Sequence, residues 1–289
     1  MKKILIIVAC LLGMSSSNAS GQTYTLDANS GVYHKTISKW TKSLHQVGEI
    51  DSTTYFRKQL SGEDSLHSVK HRDVVYWIPS TTDLSKPFIM LIWFHGHYGF
   101  DQQRTFVDRT LAQMVPKAKE GKNFVLVLPE MPWSVHGRTP TKRNGTAWTK
   151  KGEFYSFVRD AVNLVATHHG KGCEEMSCEP LGKIDYRVVG HSAGGSTIAT
   201  VGFTGDLCKL NPSRIVWSDS TYGRWIEKAN TGCLQEFNTD VFINGHPSTA
   251  TSPRRIVKTH AGRNVTIHQK KLSHKLIGNN IVKLSGVLD

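Results

Sequence analysis

Short continuous apolar runs recur along the chain, each closed by glycine, proline or a polar cluster. Residues 88–94 read Phe-Ile-Met-Leu-Ile-Trp-Phe and residues 123–128 read Asn-Phe-Val-Leu-Val-Leu. Runs of this length without alternation are what strands buried on both faces of a parallel sheet require. Residues 73–78, closed by Pro79, and residues 186–189, 214–217, 240–243 and 265–269 are rich enough in β-branched and aromatic side chains to join them. Between these runs the period lengthens. Residues 102–115 predict a helix stopped by Pro116, and residues 154–169 an amphipathic helix with Phe157, Val158, Ala161 and Val165 inward and Gly170 as C-cap. Ser252 with Pro253 reads as an N-cap and first helical residue, and a last helix-like segment follows Leu272-Ser-His-Lys275. Strands alternating with helices predict an α/β fold, a doubly wound, mostly parallel sheet with helices on both faces.

Two regions stand outside this rhythm. Residues 20–71 have helical spacing only in places, at 32–44 and 53–60; they are expected to form an N-terminal extension packed on a main domain spanning 72–289. Residues 1–19 carry Lys2-Lys3, an apolar segment from Ile4 to Leu12, and Ser17-Asn18-Ala19, which together predict a signal peptide cleaved near Ala19 and a secreted or periplasmic protein. Ile7-Val-Ala-Cys10 looks superficially like a lipoprotein cleavage box, but apolar residues continue past Cys10, which favours ordinary cleavage. No later stretch is apolar for long enough to span a membrane.

Composition narrows the function classes. Hydrophobic content of 38% with seven Trp in 289 residues describes one globular α/β domain of ordinary size. The formal net charge is +13, and its basic residues lie in scattered pairs such as Lys150-Lys151, Arg254-Arg255 and Lys270-Lys271. Without an aromatic-interleaved basic stripe, specific nucleic-acid binding is not expected; attraction to anionic surfaces remains open. With Cys10 removed, Cys173, Cys178, Cys208 and Cys233 remain, an even number that predicts two disulfides in an exported chain. Spacing favours Cys173 with Cys178 and Cys208 with Cys233, while four cysteines allow three pairings.

The chemistry centres on Tyr186-Arg-Val-Val-Gly190-His191-Ser192-Ala193-Gly194-Gly195. A β-branched run meets Gly-x-Ser-x-Gly and then a run of small residues, so strand, tight turn and helix start follow one another with Ser192 at the tip. This stretch resembles the nucleophile elbow of the α/β-hydrolases. The resemblance covers the chain from about Asp73 onward and implies a Ser, acid, His order, with the histidine after the last strand. Downstream histidines are His246, His260, His268 and His274, and only His274 stands after the last predicted strand. No Asp or Glu occurs in residues 241–288, and Asp240 begins a strand; the acid is therefore expected at Asp219, at the end of the strand 214–217. The oxyanion is expected to meet the backbone N–H of Ala193 and that of His97 in His95-Gly96-His97, with Tyr98 as the alternative donor. A metal reading of His95-x-His97 would need Asp and His where Gly99 and Phe100 stand, so no metal and no cofactor is expected. Tyr98, His191, Glu130 and Trp133 are expected around the substrate, with Glu130 recognising a cationic group or capping a loop.

These residues point to a secreted serine hydrolase that cleaves a carboxylic ester, or an amide, through an acyl-enzyme. The substrate would be a small molecule or a polymer-borne ester or amide. A peptidase or amidase acting on peptide or cell-envelope material, and a non-catalytic binding protein of the same fold, are the alternatives.

Overall fold

The computed structural model describes residues 24–27, 32–35, 53–60, 72–97, 105–129, 131, 148–171, 180–232, 234–259 and 264–289. In chain order these form β1 (Tyr24–Asp27), β2 (Val32–Lys35), β3 (Thr53–Leu60), β4 (Arg72–Pro79), β5 (Phe88–Phe94), α1 (Thr105–Lys119), β6 (Phe124–Pro129), α2 (Glu153–Lys171), β7 (Ile184–His191), α3 (Gly194–Phe203), α4 (Asp206–Leu210), β8 (Arg214–Ser218), α5 (Trp225–Asn230), β9 (Thr239–Ile243), α6 (Pro247–Val257), β10 (Val265–Gln269), α7 (His274–Asn279) and α8 (Ile281–Ser285).

Eight strands make one sheet in the order β10-β9-β8-β7-β5-β6-β4-β3. β4 runs antiparallel to both of its neighbours, and every pairing from β6 across to β10 is parallel. β1 and β2 pair antiparallel with each other in a separate two-stranded sheet. Because side chains alternate along a strand, the apolar run of β5 feeds two cores at once. Met90, Ile92 and Phe94 join Phe154, Val158 and Ile198 from α2 and α3 on one face. Leu91 and Trp93 join Leu111, Met114, Ile277 and Ile281 from α1, α7 and α8 on the other. Both faces are thus covered, which is why these strands read as unbroken hydrophobic runs.

Four boundaries differ from the sequence expectation. Thr53–Leu60 is a strand rather than a helical stretch, and Val32–Lys35 is a strand as well. β3 lies along the free edge of β4 in register from Thr53 with Pro79 to Leu60 with Arg72, so the main sheet takes in residues assigned to an extension. An open strand edge offers a row of hydrogen-bonding groups that outweighs weak helical spacing. α1 continues through Pro116 to Lys119, since a proline there removes a single backbone bond while Leu111, Met114 and Ala118 stay buried. α2 likewise runs past Gly170 to Lys171.

The fourth difference matters most for function. α6 begins at Pro247, capped by the His246 side chain, which accepts from the Ser248 N–H; Ser252 and Pro253 fall in its interior. Both prolines satisfy the rule for a first helical residue, and the earlier one takes that position. Pro253 has no N–H for the carbonyl four residues back, which is that of Thr249. The Thr221 hydroxyl donates to that carbonyl instead.

Cys208 is disulfide-bonded. Cys173, Cys178 and Cys233 lie outside the described residues, as do residues 1–19. Among the described residues no helix is long and apolar enough to cross a membrane.

The packing of α2 depends on one buried carboxylate. Asp206, fully buried at the start of α4, accepts from Gly152 N–H through both oxygens (2.7 and 2.8 Å) and from Phe154 N–H (3.1 Å). These are N–H groups at the head of α2 that the helix itself cannot satisfy, where negative charge is also favoured. Asp206→Ala should lower the unfolding free energy by about 1–3 kcal/mol, and Asp206→Asn by less. A urea midpoint that drops with an unchanged m-value checks this.

Candidate active site

The turn after β7 is fixed by close backbone approach. A Cβ on Gly194 would lie 2.3 Å from the Phe94 carbonyl oxygen at the end of β5, and one on Gly195 would lie 2.0 Å from the Ser220 carbonyl oxygen beyond β8. Glycine is therefore required at both places by its neighbours. Between them and the strand, Ser192 adopts φ 53°, a left-handed conformation that side-chain-bearing residues avoid, and its N–H donates to the Ser218 carbonyl at 3.2 Å. Ala193 forms the N-cap of α3, so its N–H stands at the head of a ten-residue helix beside Ser192.

Asp219 follows β8 directly, also left-handed at φ 47°, with its N–H donating to the Phe242 carbonyl at 2.7 Å. That turn sends its carboxylate to His274, whose Nδ1 donates to Asp219 Oδ2 at 2.8 Å. The other oxygen accepts from the Thr249 hydroxyl at 2.7 Å and the Asn244 N–H at 3.3 Å. Burial works to raise the Asp219 pKa, but the hydrogen bonds from His274, Thr249 and Asn244 together outweigh it and hold the pKa below the usual aspartate value. Thr249 is itself held, because its carbonyl is the one released by Pro253 and taken up by Thr221.

His274 opens α7, where Ser273 is the N-cap and accepts from the Leu276 N–H. Gln113 of α1 ties this segment down, donating to the Gly278 carbonyl at 3.1 Å and accepting from the Val282 N–H at 3.2 Å. The other histidines are engaged elsewhere. His246 caps α6, and His268 donates to Asp240 Oδ1 at 2.7 Å while stacking on Phe242. His260 lies outside the described residues.

The loop after β5 reaches the same place. His95 is fully buried; its Nδ1 donates to the Gly96 carbonyl and its Nε2 accepts from the Met131 N–H at 2.8 Å, which fixes the tautomer. A Cβ on Gly96 would lie 2.9 Å from the Ser192 Cβ, so this backbone touches the Ser192 side chain. His97 follows at once, exposed at the surface. Tyr98, Glu130 and Trp133 lie outside the described residues. Among the described residues, no group of three or more His, Cys, Asp or Glu could hold a metal ion.

Two residues have roles that sequence did not reveal. His191, expected at the substrate, has its ring stacked on His274 (centroids 4.8 Å apart, planes at 27°), with Nδ1 donating to the Ser218 carbonyl at 2.9 Å. Tyr222 was given no role, yet its hydroxyl is hydrogen-bonded to the Ser192 side chain and lies 3.5 Å from His274 Nδ1. Burial and the Asp219 charge raise its pKa, so it is a neutral phenol at ordinary pH. Its position three residues after Asp219 was visible, but no pattern marks a tyrosine there as facing the serine.

The site carries a pH signature. Burial, then repulsion from His274, pushes His191 from 6.5 down to about 4. An unfolded chain therefore takes up a proton at this position that the folded chain refuses. Stability should fall as pH drops from 6.5 towards about 4, with no further loss from this group below that. Urea midpoints at about pH 7 and about pH 5 should differ less in His191→Asn than in the unaltered protein.

No protein-family model and no curated protein sequence matches the chain. Among solved structures, a ferulic acid esterase is similar with a TM-score of 0.52 at 11% identity, over 82% of this chain and 97% of that one. Poly(aspartic acid) hydrolase-1 from Sphingomonas sp. KT-1 is similar at a TM-score of 0.47 and 14% identity, covering 81% of this chain and 98% of its own. A ferulic acid esterase from Anaeromyces mucronatus gives 0.48 and 12%, over 82% and 90%. With β4 antiparallel at one side of an otherwise parallel run of strands, and helices over both faces, the chain has the α/β-hydrolase fold.

Proposed function

We propose that this chain is an exported serine hydrolase that cleaves carboxylic esters, with Ser192 as nucleophile, His274 as base and Asp219 as the acid that orients it. The observation that carries the reading is the 2.8 Å His274–Asp219 pair set beside a left-handed Ser192. In the resting arrangement the Ser192 hydroxyl is paired with Tyr222. Rotation of that hydroxyl toward Nε2 of His274 starts the cycle. The Ser192 proton passes to His274 as Oγ attacks the substrate carbonyl carbon, and the carbonyl electron pair moves onto oxygen. The backbone N–H groups of Ala193 and His97 receive that oxyanion. His274 then returns the proton to the leaving alcohol, and water repeats the sequence in reverse to release the acid. Asp219 stays ionised throughout, holding the Nδ1–H tautomer that leaves Nε2 free to accept.

An ester is favoured over an amide by the likeness to the ferulic acid esterase. Export is supported by the basic and apolar pattern of residues 1–19 and by a disulfide at Cys208, a bond that persists in oxidising compartments. Cys233 is its proposed partner: the preceding Gly232 packs directly on Gly202 at the end of α3, close in the chain to Cys208.

A fluorophosphonate should label the folded protein, and Ser192→Ala should abolish labelling; folded, unaltered protein that resists the reagent would sink the reading. Asp219→Asn should lower kcat by about three to four orders of magnitude through loss of the working tautomer, with thermal unfolding nearly unchanged. Near-normal turnover in that variant would move the acid elsewhere. Rates on a panel of acyl esters against short aminoacyl amides separate the two substrate classes.

A further inference from the structure

We propose that His191 is a positioning residue for His274: stacked face to face on it and anchored to the Ser218 carbonyl, the His191 imidazole sets the plane in which the His274 ring works. This rests on the reading of His274 as the base.

Three contacts lock the His191 ring. Its Nδ1–H donates to the Ser218 carbonyl at 2.9 Å, and Ser218 Oγ lies 3.3 Å from the same nitrogen. The carbonyl also takes the Ser192 N–H, so one acceptor ties the nucleophile and the adjacent histidine together. α7 passes so close that a Cβ on Gly278 would lie 2.5 Å from Cε1 and 2.7 Å from Nε2 of His191. Below, a Cβ on Gly96 would lie 3.5 Å from Cδ2. A face of the ring meets His274, four residues before Gly278 on the same helix. The ring thus fills the space between the oxyanion loop, the end of β8 and the helix that carries the base.

The electrostatics suit this role. The charged or titratable groups acting on His191 are His274 from α7, Asp219 from the turn after β8 and Arg109 from α1. Burial first, then the electrostatic effects of His274 and Arg109, outweigh the Ser218 hydrogen bond and Asp219 and keep His191 neutral down to about pH 4. When His274 becomes an imidazolium in mid-reaction, the ring against it is an uncharged face rather than a second cation.

The test separates the ring from its N–H. His191→Asn keeps an N–H that reaches the Ser218 carbonyl from the same side-chain atom position, but offers no ring. In this variant kcat should fall about 10- to 100-fold with KM within about threefold, the mark of a misaligned base rather than lost binding. His191→Phe, which restores a flat ring against His274 without the N–H, should recover most of that loss. Gly278→Ala, whose methyl would occupy the space of the His191 ring, should reproduce the fall in kcat from outside the motif, and carries the test alone if His191→Asn does not fold. A kcat in His191→Asn within about twofold of the unaltered protein, or no recovery in His191→Phe, overturns the proposal. Failure of the hydrolase reading is separate: it shows as unlabelled Ser192 in the unaltered protein, before any variant is compared.

Discussion

The close approach of the turn after β7 to its neighbouring strands is the constraint on which the site depends. Gly194 sits against the end of β5 and Gly195 against the residue after Asp219, at distances no side chain would allow. Because those contacts are backbone to backbone, the sheet positions Ser192 as rigidly as it positions its own strands. The same turn forces Ser192 into left-handed space, at a cost of order 1–3 kcal/mol that the surrounding core must offset. The loop after β5 and the turn after β8 are thereby fixed relative to the serine by what they touch. Each lies at the carboxyl end of a parallel strand, where such sheets gather their functional groups.

Asp219 shows how little charge the arrangement needs. Asp219 is buried, yet its two oxygens receive three donors from three different segments, so the carboxylate replaces its lost water with fixed protein dipoles. None of these donors is itself a cation unless His274 is protonated. The His191 ring stacked on His274 and the Thr249 hydroxyl bonded to Asp219 follow one logic: each member of the pair is held by a neutral neighbour.

How much of this was legible in the sequence depends on where each interaction originates. β5 is bounded as the apolar run itself is bounded, because a strand covered on both faces must be hydrophobic from end to end. The turn at Ser192 was legible because its glycines are local, and Asp219 because no other carboxylate stands downstream of Asp240 before the last residue. β3 was not legible: an edge strand takes its conformation from the partner it pairs with, and Thr53–Leu60 carries only weak periodicity of its own. The start of α6 was ambiguous because two prolines satisfied one rule. The placements of His191 and Tyr222 come from contacts with α7 and with the serine across the site, and spacing along a chain holds no record of such contacts.

Pro253 has a consequence for how this protein can change. Any residue with an N–H at that position would give the Thr249 carbonyl its ordinary helical partner and make α6 more regular. It would also release Thr221 and relax the segment whose hydroxyl holds Asp219. A substitution that strengthens the helix would then loosen Asp219, and with it the hydrogen bond to His274. Selection for a sturdier protein alone would erode the Asp219–His274 pair from this helix.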